Sequence, residues 1–347
     1  MRPVPGAEES AVAPPVGMVD ISVYLPAQVM DAAELAARAG IPVQVVREKF
    51  GLRCKHIAAP DEHLSDLCIQ AARPLLSRVP PDEIDAVVYF GSYHRDYHVW
   101  PVAPLIQDAL GLSRAHAFEI MNTSAGAPIA LKVVADMLRA DSGLRNVLMV
   151  AGSRESYLLD YGNERSRFMF NFGDGAAAAI LRRGHPANRV LQGAFLTDGS
   201  FARDVMVPAG GSVNPASAET VARRMHFLDV RDPVGMKQRL DPVALSSFVR
   251  VIHGACRRSG FAPEAIGFLA VLHTKRSLYD QLLASLGLRE DQSVYLDQTG
   301  HISAADPLVA LYEGRRLGRL RGGDLAVAAS AGTGYSWGAL AIAWGEG

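Results

Sequence analysis

Ser124 and two histidines, His273 and His301, are the residues of this chain whose types and settings could do covalent chemistry at a carbonyl carbon. Ser124 opens the phrase Ser124-Ala125-Gly126-Ala127-Pro128-Ile129, where small residues lead into a helical pattern running to Leu138. A hydroxyl there sits near a helix amino terminus, whose unpaired amides favour developing negative charge. A serine that merely caps the helix would leave the same pattern. His273 follows the apolar run Phe268-Leu269-Ala270-Val271-Leu272 and begins His273-Thr274-Lys275-Arg276. At a strand's exit its ring can point into a cleft or be satisfied in the core. His301 carries the same two readings just ahead of Ser303-Ala304-Ala305-Asp306-Pro307-Leu308. Further on, Ser330-Ala331-Gly332-Thr333-Gly334-Tyr335-Ser336-Trp337-Gly338 joins two apolar runs. Its glycines either present backbone amides to a bound carbonyl or form an ordinary hairpin.

The elements that position these residues are written twice. Pro81-Asp82-Glu83-Ile84 runs into Ala86-Val87-Val88-Tyr89-Phe90, as Pro263-Glu264-Ala265-Ile266 runs into Phe268–Leu272. The serine phrase follows in one half and the Ser303 phrase in the other, and Val147–Ser153 then matches Leu325–Ser330. Strand, motif, helix, strand in both halves predicts two similar lobes about an internal pseudo-twofold axis. Alternation over Val19–Leu25 predicts the first strand, and helices are expected over Asp31–Ala39, closed by Gly40, and over Glu62–Leu76. The segment Gly91–Trp100 gathers aromatic and ionisable groups in a loop. Phe172-Gly173-Asp174-Gly175 leads into four alanines without the lysine or spacing of a phosphate loop, so a structural turn into a crowded strand is expected.

The chain has 347 residues, 49% of them hydrophobic, and 35 basic against 36 acidic side chains. That balance suggests neither a nucleic-acid-binding nor a membrane surface. With no long apolar run and no leader pattern, a cytoplasmic protein is expected. Cys54, Cys68 and Cys256 lack metal-ligand spacing, and Cys68 reads as a buried small hydrophobe. His94 and His98 are four apart without a carboxylate pair in helical context, so no metal site is assigned.

Jointly, Phe50-Gly51-Leu52-Arg53 with His56-Ile57-Ala58, the Ser124-Ala125-Gly126 junction, Phe172–Ala176, His273, Gly300–Ala305 and Gly332–Gly338 resemble the thiolase superfamily, in particular its beta-ketoacyl-acyl-carrier-protein synthase III branch. The resemblance implies an α/β fold of two similar lobes in five layers, α-β-α-β-α. A loose tail is expected over residues 1–15, an amino-terminal lobe over 16–183, an insertion and connection over 184–239, and a carboxy-terminal lobe over 240–347.

By position, Ser124 replaces the family's acyl-accepting cysteine, His273 matches its histidine, and His301 stands where it has asparagine. The resemblance therefore implies acyl transfer through Ser124, with His273 or His301 as base and the amides of Ser124 and Thr333 as the oxyanion site. The acyl donor would be a coenzyme A or phosphopantetheine thioester, with no tightly bound cofactor. The acceptor would be a carrier-protein thiol or a small hydroxyl or amine, in specialised metabolism such as polyketide biosynthesis. Decarboxylative carbon–carbon condensation and a catalytically silent ketosynthase subunit are the alternatives. Lys49, Arg53, Lys55, Lys275 and Arg276 are expected to meet the donor or an acyl carrier protein. A homodimer is implied, in which Trp100 would close a partner's acyl pocket.

Overall fold

Residues 14–345 are described by a computed structural model; all but the last two positions of the expected tail lie outside them. Strands β1 Val16–Tyr24, β2 Ala86–Tyr89, β3 His116–Glu119, β4 Asn146–Arg154 and β5 Asp174–Arg183 build the first half of the sheet structure. Strands β6 Arg189–Thr197, β7 Ile266–Val271, β8 Leu325–Gly332 and β9 Ser336–Ala343 build the second. The order is β3-β2-β4-β5-β1 and then β6-β9-β8-β7, the halves being linked at the single pair Gly17 and Arg189.

The duplication is visible in the strand senses. In the first half β2 runs parallel to β3 and β4, and β5 is antiparallel to β4 and β1. In the second β7 runs parallel to β8, and β9 is antiparallel to β8 and β6. Leu269 of β7 also bridges in parallel to Ser293, the place that β3 takes beside β2.

Side chains alternate across these strands, and the alternation sorts the core into layers. Val87 and Leu148 face outward onto helices α1 Leu64–Ala72 and α2 Val102–Ala109. Their neighbours Val88 and Met149 face inward onto α3 Gly126–Ala140. The outer face of the second half is covered by α4 Pro233–Arg258 and α5 Arg276–Leu286. Helix α6 Asp306–Arg316 shares the middle layer with α3, between the inward residues of both half-sheets. The result is the expected five-layered, duplicated α/β fold.

Elsewhere the structure keeps the expected first helix and moves the later boundaries. The helix Ala32–Ala39 is capped by Asp31, whose side chain accepts from the Glu34 amide, and is closed by Gly40 at φ 62°. The stretch 184–239 holds β6, a full member of the second half-sheet, besides its connections. Helix α4 starts at Pro233, ahead of the lobe boundary expected at residue 240, and carries Pro242 inside it. An internal proline reads as a break in sequence because it lacks an amide donor, yet this helix continues through it.

Candidate active site

Two elbows meet in the middle layer. Each begins with a residue in the left-handed region, Thr123 at φ 45° and Ser303 at φ 47°. Each passes through one tight turn, Thr123–Ala125 or Ser303–Ala305, into α3 or α6. These matched conformations fix the register of the repeat: Thr123 corresponds to Ser303, Ser124 to Ala304 and Gly126 to Asp306. The repeated phrase aligned by its letters, Ser124 on Ser303, is thus one residue out of step with the backbone. A Cβ on Gly126 would lie 2.8 Å from the Phe90 carbonyl oxygen and 3.1 Å from the Ala304 Cβ, so its absence lets the elbows pack together.

Across that contact, Ser124 Oγ lies 2.8 Å from His301 Nε2, and His301 Nδ1 lies 2.6 Å from Asp306 Oδ2. Asp306 is fully buried at the start of α6. Its oxygens also accept from the backbone amides of Ile302, at 2.7 Å, and His273, at 2.8 Å. A carboxylate held by three donors keeps a proton on His301 Nδ1 and leaves Nε2 as an acceptor for the serine hydroxyl. Burial, the largest single influence, would depress the His301 imidazole. The charge and hydrogen bond of Asp306, with the charge of Glu155, outweigh burial and raise His301 above its ordinary 6.5.

His273 lines the same cavity but makes no hydrogen bond to Ser124. Its Nδ1 accepts from Asn171 Nδ2 at 2.8 Å, and its Nε2 faces the Gly51 carbonyl oxygen at 3.4 Å. Burial pushes its imidazole down to about 4, so the ring is neutral at pH 7. Of the two histidines read from the sequence, His301 is therefore the one placed on the hydroxyl.

The bend after β8 closes against the first elbow. Ser330 Oγ donates to the Ser124 carbonyl oxygen at 2.5 Å, and Thr123 Oγ1 donates to that of Thr333 at 3.4 Å. A Cβ on Gly332 would lie 2.1 Å from Thr123 Oγ1, 2.7 Å from the Ala125 nitrogen and 3.0 Å from the Ser124 nitrogen. Gly332→Ala should therefore displace the elbow, lowering stability by roughly 1–3 kcal/mol and acylation by roughly 100-fold. A melting curve and single-turnover kinetics on one preparation would check both.

Ser124, Asn171, His273, His301 and Thr333 open onto one cavity of about 670 Å³ beneath α4, with apolar walls that include Met236, Leu240, Phe248 and Trp337. Lys275, exposed, lines the cavity too. Arg53 and Arg276 border an adjoining cleft of about 540 Å³. There Arg53 pairs with Asp297 at 2.9 Å, and Arg276 pairs with Asp280 at 2.8 Å and Glu290 at 3.0 Å. Lys49 is exposed. Lys55 contradicts the reading that grouped it with these cations: it is fully buried, donating from Nζ to the carbonyl oxygens of Phe170 and Phe172. Its place on the strand Cys54–Ile57, alternating with its neighbours, turns it inward. Trp100 does not line the cavity of its own chain; its ring packs edge-on against Tyr97.

The cysteines stand apart from this chemistry. Burial pushes up the thiols of all three, Cys256 to about 11, and the Cys54 thiol donates to the Gln298 carbonyl oxygen. Among the described residues no group of three or more His, Cys, Asp or Glu is arranged to hold a metal, and no helix is long and apolar enough to cross a membrane.

Asp306 and Asn171 received no role in the sequence reading. Asp306 carried a usable signal, a carboxylate in the first turn of a helix five residues after a histidine. Asn171 carried none, because the chain distance of 102 residues to His273 is closed only by the fold.

Duplicated lobes whose elbows meet in a shared middle layer, with Ser124 of one half on His301 of the other, make the fold and candidate site of a thiolase-superfamily chain. Residues 118–199 match the family 3-oxoacyl-(acyl-carrier-protein) synthase III, and residues 256–344 match its C-terminal family. The beta-ketoacyl-(acyl-carrier-protein) synthase III of Symbiobacterium thermophilum is 31% identical over 96% of this chain and 99% of its own. The 3-oxoacyl-(acyl carrier protein) synthase III of Pseudomonas aeruginosa superposes with a TM-score of 0.83 at 24% identity, covering 96% of this chain and 99% of that one. The priming beta-ketosynthase of the R1128 polyketide pathway gives 0.82 at 23% identity, covering 97% and 99%. The chain belongs to the beta-ketoacyl-acyl-carrier-protein synthase III family, and is an enzyme of its condensing and acyl-transfer type.

Proposed function

We propose that this enzyme is an acyltransferase that takes an acyl group from a thioester onto Ser124 and passes it to a carrier-protein thiol or a small hydroxyl or amine. The observation that carries this reading is the continuous chain of contacts Ser124–His301–Asp306, at 2.8 and 2.6 Å. His301 Nε2 takes the serine proton as Oγ attacks the thioester carbonyl, and the imidazolium is stabilised by Asp306. The amides of Ser124 and Thr333 would hold the oxyanion, a contribution of roughly 3–4 kcal/mol per well-placed donor. Collapse expels the thiolate, which takes the proton from His301. The acceptor then gives its own proton to Nε2 as it attacks the serine ester, and Ser124 Oγ leaves, taking that proton back from His301.

Condensation is favoured by a different observation, the names of the relatives, which are those of ketosynthases. In that reading neutral His273 steadies an enolate oxygen through Nε2–H, while His301 serves acylation. Incubation with labelled acyl-coenzyme A and acyl-carrier donors, followed by intact-mass and peptide mapping, tests both. Label on Ser124 supports acyl transfer through serine. A product formed with loss of carbon dioxide moves the assignment to condensation, and neither adduct nor turnover with any donor would favour a silent subunit.

The donor or carrier protein would dock at Lys49, Arg53, Lys275 and Arg276, through its phosphate and acidic surface. The double variant Lys275→Glu/Arg276→Glu should raise KM for an acyl-carrier donor roughly 10-fold with kcat unchanged, since rim charges act mainly on encounter. Equal KM values would remove these residues from the docking face. In a homodimer, Trp100 of a second copy would bound the acyl end, and Trp100→Ala would then admit longer chains.

A further inference from the structure

The buried cation Lys55 lies outside the chemistry described above. Its ammonium donates to the Phe170 carbonyl oxygen at 2.8 Å and the Phe172 carbonyl oxygen at 2.6 Å, and lies 5.3 Å from the centre of the Tyr161 ring. No carboxylate forms a salt bridge with it among the described residues, although the charge of Asp174 is near enough to favour the cation. Burial, the dominant influence, pushes its ammonium down to about 7.

An ammonium buried without an ion pair is a poor way to stabilise a fold. Methionine would fill similar space without the desolvation cost. Lysine adds two charge-assisted hydrogen bonds that fix the direction of two carbonyls. The residue between those carbonyls is Asn171.

The strap Phe170-Asn171-Phe172-Gly173 reaches both histidines. The Asn171 carbonyl oxygen accepts from the His301 amide, and the Gly173 amide donates to the His301 carbonyl oxygen, both at 2.9 Å. The Phe172 ring meets the His301 ring edge-on at 4.9 Å between centres. The Asn171 side chain holds His273 Nδ1. The backbone of one histidine and the ring of the other are thus set by Asn171, Phe172 and Gly173, and Lys55 holds the Phe172 carbonyl together with that of the preceding Phe170.

We propose that Lys55 is a positioning residue for the reaction, a clamp that holds the strap Phe170–Gly173 so that His301 meets Ser124 and His273 keeps its orientation. It touches no reacting atom and acts through Asn171 and Phe172. A displacement of about 1 Å in such a support can lower a rate by roughly 100-fold.

The test compares Lys55→Met, Lys55→Gln and Lys55→Arg in the full-length protein. Its kinetic arm rests on the Ser124 reading and follows single-turnover acylation by acyl-coenzyme A. Its second arm does not rest on that reading: it records the downfield proton resonance of the His301 Nδ1–H held by Asp306. Lys55→Met should slow acylation roughly 10- to 100-fold with KM within about 3-fold, and should broaden or shift the resonance while melting remains cooperative. Lys55→Arg, which restores donors to both carbonyls, should recover most of the rate and the resonance. If Lys55→Met does not fold, Lys55→Gln decides, because its shorter amide reaches one carbonyl at most and should still slow acylation several-fold.

A folded Lys55→Met, or in its absence Lys55→Gln, with the wild-type rate and resonance overturns the proposal. So does a resonance that is unchanged while KM alone rises. Absence of any adduct in the wild type would count against the Ser124 reading instead, and the resonance comparison would still decide the role of Lys55.

Discussion

Ser124→Ala should abolish the acyl adduct and lower turnover by roughly 10⁴- to 10⁶-fold, the range seen when single members of a hydroxyl-based triad are removed. The fold should survive, because Ser124 Oγ has one hydrogen-bond partner among the described residues, His301, and an alanine fits where the second elbow already carries Ala304. Peptide mapping after exposure to a labelled thioester gives the first reading, and multiple-turnover kinetics the second. A labelled Ser124→Ala protein would place the acyl group on another residue and dismantle the proposed relay. Residual turnover without an adduct would point to direct transfer between donor and acceptor within the cavity.

Asp306→Asn should cost nearly as much, about 10⁴-fold in acylation, although Asp306 never touches the substrate. The amide can replace only one of two accepting oxygens, and those oxygens serve three donors. If its nitrogen faces His301, the imidazole proton moves to Nε2 and the base toward Ser124 is gone. If it turns the other way, the Ile302 amide is left facing a donor. The pH profile separates this from simple unfolding. In the wild type, acylation needs neutral His301, so the rate falls as pH drops through a pKa above the ordinary 6.5. Without the carboxylate, burial is no longer outweighed and the pKa drops, so the acid limb should move to lower pH while the plateau falls. A limb that stays in place would mean that some other group sets it.

The fold was legible because its duplication leaves repeated apolar runs at matched spacing, and β2 and β7 can be read from Ala86–Phe90 and Phe268–Leu272 alone. Ser124 and His301 were legible as departures from a family pattern. Their union was not, since 177 residues separate them and only the packing of two elbows makes them neighbours. The misalignment by one residue has a similar cause. Letters matched Ser124 to Ser303, whereas the backbone matches the residues at positive φ, Thr123 and Ser303, and neither threonine nor serine advertises that conformation. Lys55 shows the opposite error: its charge suggested a surface, but strand alternation and two buried carbonyls decided its direction.

The pairing of Gly126 with Asp306 at equivalent elbow positions has a consequence for how such an enzyme can change. A symmetric ancestor would have carried the same residue at both places, and either choice is defective: two glycines leave no carboxylate for the base, while two aspartates drive a side chain into the Phe90 carbonyl. Division of labour between the halves is therefore imposed by space as much as by chemistry. Exchanging the two elbow sequences should not move the proposed relay to the other side of the axis but abolish it, because a side chain at position 126 meets the Phe90 carbonyl.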